Sequence, residues 1–189
     1  MRGLPGVRHL PNLICLARIA LIWPINVALI NGNYDFALLL FTLAGVSDGL
    51  DGFLAKHFGW TSDLGKILDP VADKLLLISL FVIGTSLDLV PWWVTLTAVT
   101  RDLMIIVGAI ALRLWVGALR GYPTVLSKIN TLLQLAYLFG VITHAAGYGP
   151  SLALLNGVAV VTVVTTLLSG VKYLANFVRA ARGPAPKMP

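Results

Sequence analysis

Residues 47–74 read SDGLDGFLAKHFGWTSDLGKILDPVADK, and five of the chain's eight acidic residues fall between Asp48 and Asp73. All eight are aspartates; the 189 residues include no glutamate. On a helix, residues three or four apart share a face. Asp48 and Asp51 stand three apart, and Asp69 and Asp73 stand four apart. The ten residues from Lys56 to Gly65 are short enough to make the flanking helices antiparallel neighbours. The stretch therefore reads as a helical hairpin that sets two acidic faces opposite each other at similar depth. Pro70 falls early in the second helix, where its missing N–H costs least.

The surroundings of this hairpin are strongly apolar. Hydrophobic residues make up 58% of the chain and charged residues only 12%, where soluble domains carry about 25% charged residues. Mean hydropathy is +0.88. A run of about 20 apolar residues crosses a bilayer, and six such runs can be drawn, at 12–30, 34–55, 65–86, 91–113, 124–145 and 150–176. Asn31-Gly32-Asn33, Leu87-Asp88-Leu89 before Pro91, Gly121-Tyr122-Pro123 and Gly147-Tyr148-Gly149-Pro150 mark turns between them. The expected fold is all-α: a polytopic membrane protein of six transmembrane helices, preceded by a short basic interfacial segment over 1–11. Residues 1–182 read as a single domain and 183–189, GPAPKMP, as a disordered tail. Arg18 interrupts the first run and no small-residue cleavage site follows clearly, so this run reads as an uncleaved span. The single Cys15 excludes an intramolecular disulfide and a cysteine metal cluster.

The net charge of +6 is distributed in a way that argues against nucleic acid. Arg2, Arg8, Lys56, Lys66, Arg113, Arg120, Lys128, Lys172, Arg179, Arg182 and Lys187 occupy one set of loops and span ends. The turns at 31–35, 86–91 and 144–150 hold no Lys or Arg. This asymmetry places the basic side and both termini in the cytoplasm, which requires an even number of spans and agrees with six. The basic face also attracts anionic headgroups. Trp92 and Trp93, beside Pro91, fit an outer aromatic belt.

Carboxylates in such a chain need partners that offset their desolvation. Oxygen donors without His or Cys suit a hard cation, Mg²⁺ or Mn²⁺. Two such ions held by Asp48, Asp51, Asp69 and Asp73 can clamp a diphosphate and lower the pKa of a hydroxyl. The bland alternative pairs the four with Lys56, Lys66, Lys74 and Arg101 for stability alone. His9, His57 and His144 are scattered at span ends without a ligand partner at metal spacing. Gly45, Gly49 and Gly52, with Ala44 and Ala55, form a small-residue face for close helix packing.

These residues resemble the CDP-alcohol phosphotransferase family, whose signature is D-x-x-D-G-x-x-A-R-(x8)-G-x3-D-x3-D. Asp48, Asp51, Gly52, Ala55, Gly65, Asp69 and Asp73 match it with every spacing kept, and Lys56 stands where the family has Arg. The resemblance implies six membrane helices, a homodimer and a metal site open to the cytoplasmic leaflet. It implies that Asp48, Asp51, Asp69 and Asp73 ligate two Mg²⁺ or Mn²⁺ ions and that Asp73 is the general base for the acceptor hydroxyl. Asn12, Asp48, Gly52, Lys56 and Ser62 are then the CDP-lipid-binding residues. Lysine keeps the charge beside the diphosphate but loses the planar fork that grips two oxygens. Weaker donor binding is the expected consequence.

Outside that window the chain is similar to the cardiolipin synthases and phosphatidylglycerophosphate synthases of this family. Pro11-Asn12 with Arg18, the run LDPVADK, Thr100-Arg101-Asp102, and Leu126 to Thr131 with Gln134 carry the likeness. Phosphatidylglycerophosphate synthases tend to show Lys-x-Lys-Thr where this chain has Lys128-Ile129-Asn130-Thr131, a neutral amide replacing one cation. A dianionic glycerol 3-phosphate needs clustered cations more than the headgroup of phosphatidylglycerol does. The expected reaction transfers a phosphatidyl group from CDP-diacylglycerol to phosphatidylglycerol, giving cardiolipin and CMP, with glycerol 3-phosphate the alternative acceptor. Arg101, Lys128 and Arg18 are the acceptor-binding candidates. For Arg101 and Asp102 the competing account is an internal pair that staples helices, and for Arg18 it is snorkelling to the interface.

Two other classes meet the same residues less well. Intramembrane prenyltransferases need a second aspartate-rich motif distant in sequence, and no acidic residue follows Asp102. A divalent-cation transporter needs acids near the midplane reachable from both sides, whereas these four gather towards one end. The short N-terminus without a presequence suggests a bacterial inner membrane.

Overall fold

Among the described residues, the apolar runs fold as six helices in a computed structural model: α1 (Leu10–Ile30), α2 (Tyr34–Phe58), α3 (Gly65–Ser86), α4 (Trp92–Trp115), α5 (Val125–Ala145) and α6 (Leu152–Arg182). The structure describes the backbone of residues 10–58, 65–115 and 125–182, and side chains within 14–47, 71–108 and 125–178. The interfacial segment expected over 1–11 lies outside the described residues except for its last two, which open α1; the tail at 183–189 also lies outside. Among the described residues, Val125–Ala145 and Leu152–Val178 are long and apolar enough to cross a membrane, and Ile14–Ile30 and Tyr34–Ser47 are shorter apolar stretches.

Three helix ends close in the same way. After α1, Gly32 adopts φ 72°, its N–H bonds Leu29 O, and Asn33 N–H bonds Ala28 O. After α5, Gly147 adopts φ 86°, and Tyr148 N–H reaches Thr143 O. These left-handed ends satisfy carbonyls that the last turn leaves without partners. After α3 the same geometry falls on Asp88, φ 58°, with Leu89 N–H bonded to Gly84 O. Aspartate tolerates this region better than bulkier residues. The turn after α5 is locked further by His144 Nδ1 against Pro150 O, 2.8 Å. A Cβ on Gly149 would strike the His144 and Thr143 backbone, which cannot yield. Gly149→Ala is expected to cost at least about 2 kcal/mol through backbone displacement, read as a lowered thermal midpoint. A midpoint equal to wild type would show that the turn can open without loss.

The chain divides into two compact units. The first contains α1, α2, α3 and the end of α5 from Leu138. Its core is apolar. Ala37, Leu40, Phe41 and Ala44 recur at helical spacing on one face of α2, and Ala72, Leu76, Leu77 and Leu80 on one face of α3. α1 packs against both helices and contributes Cys15, Ile25, Ala28 and Leu29. Phe41 and Phe139 add a tilted ring contact with centroids 6.5 Å apart. Pro24 lies inside α1, where it removes one backbone bond.

The second unit contains α4, the start of α5 through Tyr137, and α6. Its interior is polar. Arg101, Asp102, Asn130, Gln134, Thr162, Thr166 and Ser169 are all buried. Thr165 and Thr166 donate to Asn130 Oδ1 at 3.0 and 2.8 Å, joining α5 to α6. Tyr173 donates to Ile105 O at 3.0 Å, with its ring lying close over Gly108. Interhelical hydrogen bonds of this kind hold helices together where surrounding hydrocarbon removes the hydrophobic drive.

Candidate active site

The backbone places Asp48 and Asp51 on α2 and Asp69 and Asp73 on α3, at the expected spacings. Among these four, only Asp73 has a described side chain. The side chains of Asp48, Asp51, Asp69, Asn12, Gly52 and Lys56 lie outside the described residues, as does Ser62 together with the whole connection at 59–64. Asn12 falls inside the first turn of α1 rather than ahead of it, because that helix begins at Leu10.

Position along each helix follows from a rise of about 1.5 Å per residue. Asp51 stands seven residues before Phe58 and Asp69 four after Gly65, so they lie roughly 10 and 6 Å from the connection. Asp48 and Asp73 lie roughly 15 and 12 Å from it by the same rise. Counted from the ends of their own helices, the two pairs cover overlapping distances. Among the described residues, α1 is the element packed against both acidic helices.

Arg18 sits on the inner face of α1. Its side chain is 1% exposed, and Nη1 lies 3.9 Å from Asp73 Oδ1, whose own side chain is 33% exposed. Snorkelling to the interface does not describe this arginine; it turns into the first unit towards a motif carboxylate. Both residues stand eight positions into their helices, about 12 Å from each start, which is why they meet.

Arg101 and Asp102 occupy the second unit. The guanidinium is 4% exposed and its Nη1 donates to Asp102 Oδ1 at 2.6 Å. Nη2 donates to Ser127 Oγ at 2.6 Å and to Ser169 Oγ at 2.7 Å. Those bonds tie α4 to α5 and α6. Nε has no partner among the described residues. Arg101 and Thr166 also border a groove of about 440 Å³ between α4 and α6, otherwise walled by Leu96, Met104, Leu167, Val171 and others. Lys128 is exposed. Asn130 is 0% exposed, so the neutral amide noted in the sequence belongs to helix packing in the second unit. The buried ladder of Asn130, Gln134, Thr162, Thr166 and Ser169 did not enter the sequence-based site. Its signal was available, since Thr162, Thr166 and Ser169 recur at spacings of four and three.

One titratable group outside the helices is displaced. Tyr148, in the turn after α5, is held above the ordinary phenol value by its hydrogen bond to Asp35 and that carboxylate's charge. The contact favours the neutral phenol and is lost when the hydroxyl ionises in strongly alkaline medium.

Comparison with known proteins gives this arrangement a chemical class. The family model for CDP-alcohol phosphatidyltransferases matches residues 8–171. A cardiolipin synthase (CMP-forming) of Streptomyces coelicolor is 35% identical over 93% of this chain and 86% of its own length. The human protein of the same name is 34% identical over 67% of this chain, and the match spans about half, 47%, of its length. A probable phosphatidylglycerophosphate synthase of Mycobacterium tuberculosis is 29% identical over 96% of this chain and 87% of its own. The transporter alternative is set aside by this match. Its span includes α1 to α5, both aspartate pairs and most of α6, and so the chain belongs to the CDP-alcohol phosphatidyltransferase family and is a phosphatidyltransferase enzyme.

Proposed function

We propose that this enzyme transfers the phosphatidyl group of CDP-diacylglycerol to a hydroxyl of phosphatidylglycerol, giving cardiolipin and CMP. The likeness that carries the reading is the near-full-length similarity to a bacterial cardiolipin synthase together with the intact aspartate spacing. In the same reading all six helices span a bacterial inner membrane as one domain, with the termini and the site at the cytoplasmic side and two copies forming a homodimer. The apolar exposed faces of α2 and α6, including Leu39, Leu43, Val164, Leu167 and Val171, support immersion in hydrocarbon.

Asp48, Asp51, Asp69 and Asp73 are the residues that would hold two Mg²⁺ or Mn²⁺ ions, and the all-oxygen donor set fits such hard cations. When bound, the ions supply charge neutralisation for the diphosphate. The chain's own contribution is placement. Asn12, Gly52, Lys56 and Ser62 hold the donor, with Lys56 beside the diphosphate. Asp73 accepts the proton of the acceptor hydroxyl as its oxygen bonds the lipid-side phosphorus. The phosphorus–oxygen bond to CMP then breaks, and CMP carries the electron pair away. Positioning and electrostatics supply the acceleration.

Lys56→Arg restores the family's planar fork and is expected to lower KM for CDP-diacylglycerol about threefold or more, from a gain of one charge-assisted hydrogen bond. A raised KM would argue that Lys56 does not touch the phosphates. Glycerol 3-phosphate is the competing acceptor, favoured by the mycobacterial relative's name. The likeness to the Streptomyces cardiolipin synthase over 93% of this chain favours phosphatidylglycerol. Incubating the purified enzyme with CDP-diacylglycerol, Mn²⁺ and each alcohol separately, with mass spectrometry of the lipid formed, decides between them. Phosphatidylglycerophosphate as sole product would overturn the preferred acceptor.

A further inference from the structure

We infer that Arg18 is a positioning residue that acts through Asp73, setting the orientation of that carboxylate and the net charge of the acidic site; the inference rests on the aspartate assignment proposed above. A guanidinium at 1% exposure is retained in an apolar helix only beside compensating charge, because an isolated buried cation is costly. The described carboxylate that faces it is Asp73, 3.9 Å from Nη1. Arg18 reaches it from α1, the helix packed against both α2 and α3. A cation fixed on this third helix does two things at once. It adds a fixed charge beside a carboxylate that is one-third exposed. It also opposes the accumulation of further positive charge, so it weakens cation binding at the site while holding Asp73 ready for a proton. Lys74 is the nearest charged neighbour along α3, but one residue from Asp73 it projects in another direction on a helix.

This role makes two effects run in opposite directions, which simple loss of packing does not. In Arg18→Gln, Mn²⁺ affinity measured on the purified protein without donor or acceptor is expected to tighten about tenfold, as a nearby opposing charge is removed. In the same variant kcat for CMP release is expected to fall at least about 100-fold with KM for CDP-diacylglycerol changed less than about threefold, since a misaligned base loses transition-state stabilisation alone. Arg18→Lys keeps the charge and should return Mn²⁺ affinity to within about twofold of wild type and recover most of kcat. In an Asp73→Asn background, Arg18→Gln should still tighten Mn²⁺ affinity, because the opposing charge acts on the ions directly, but should lower the residual rate of CMP release less than about twofold, because coupled residues do not add. Joint loss of Mn²⁺ affinity, kcat and thermal midpoint, with no rescue by lysine, would assign Arg18 to packing and overturn the inference. So would wild-type kcat in Arg18→Gln. A wild-type protein that releases no CMP with any acceptor fails the proposed reaction instead, and the Mn²⁺ titrations still decide the role of Arg18.

Discussion

Asp73→Asn is expected to reduce CMP release at least about 1,000-fold, because a general base contributes roughly 10²–10⁴ and this residue is also assigned to the ion site. The amide is nearly isosteric, so α3 should pack as before: Ala72, Leu76 and Leu77 around it are buried independently of its charge. The informative quantity is the contrast with donor binding. CDP-diacylglycerol should still bind within a few-fold of wild type, since the other three aspartates and Lys56 remain. Equilibrium binding of a radiolabelled CDP-lipid beside single-turnover CMP release measures both. If binding and turnover fall by the same factor, Asp73 serves chiefly to hold the ions and some other group takes the proton.

Arg101→Met is expected to cost roughly 3–5 kcal/mol, as a buried ion pair loses one member. Asp102 is 2% exposed, and three hydrogen bonds from the Arg101 guanidinium disappear together, two of them joining α4 to α5 and α6. Replacing both members, Arg101→Met with Asp102→Leu, should recover most of the loss, since apolar groups of similar volume often match a buried ion pair. Unfolding in detergent followed by helical circular dichroism reads the difference. A stable Arg101→Met variant with a raised KM for the acceptor would instead place the guanidinium, through its unbonded Nε, on substrate.

The course of the chain was largely readable from its letters. Six apolar runs became six helices with starts displaced by two residues or fewer. Turn residues located the connections, including the one at Asp88 where no glycine is available. The main displacement is at the end of α6, which continues to Arg182 past the apolar limit at 176. Hydropathy registers only the part of a helix that suits hydrocarbon, whereas the helical backbone carries on through Arg179 to Arg182. Three- and four-residue spacing placed the aspartate pairs on α2 and α3, where the backbone has them; the side chains of Asp48, Asp51 and Asp69 lie outside the described residues.

What escaped was the direction of polar side chains. Hydropathy counts Arg18 as an interruption and assigns it to the nearest interface. Its inward turn depends on a carboxylate 55 residues away in sequence, and only the matching depth of the two positions hints at it. Arg101 illustrates the reverse case. Its neighbour in sequence announced a pair, but the serines at 127 and 169 that complete the network lie on other helices, and serine carries little weight in any single-residue scale.

The three tight connections lacking basic residues have a practical corollary. They comprise only residues 31–33, 87–91 and 146–151, and each begins with a backbone that is already knotted to the preceding helix. Reagents that modify amines find no lysine in any of them, and a protease seeking an extended strand finds no slack to grasp. On the orientation proposed above, the enzyme offers such reagents almost nothing from that face, so reporters of its orientation must be introduced there by design, as a cysteine at Asn31 or Ser151 added to the buried native Cys15, rather than expected among its native residues.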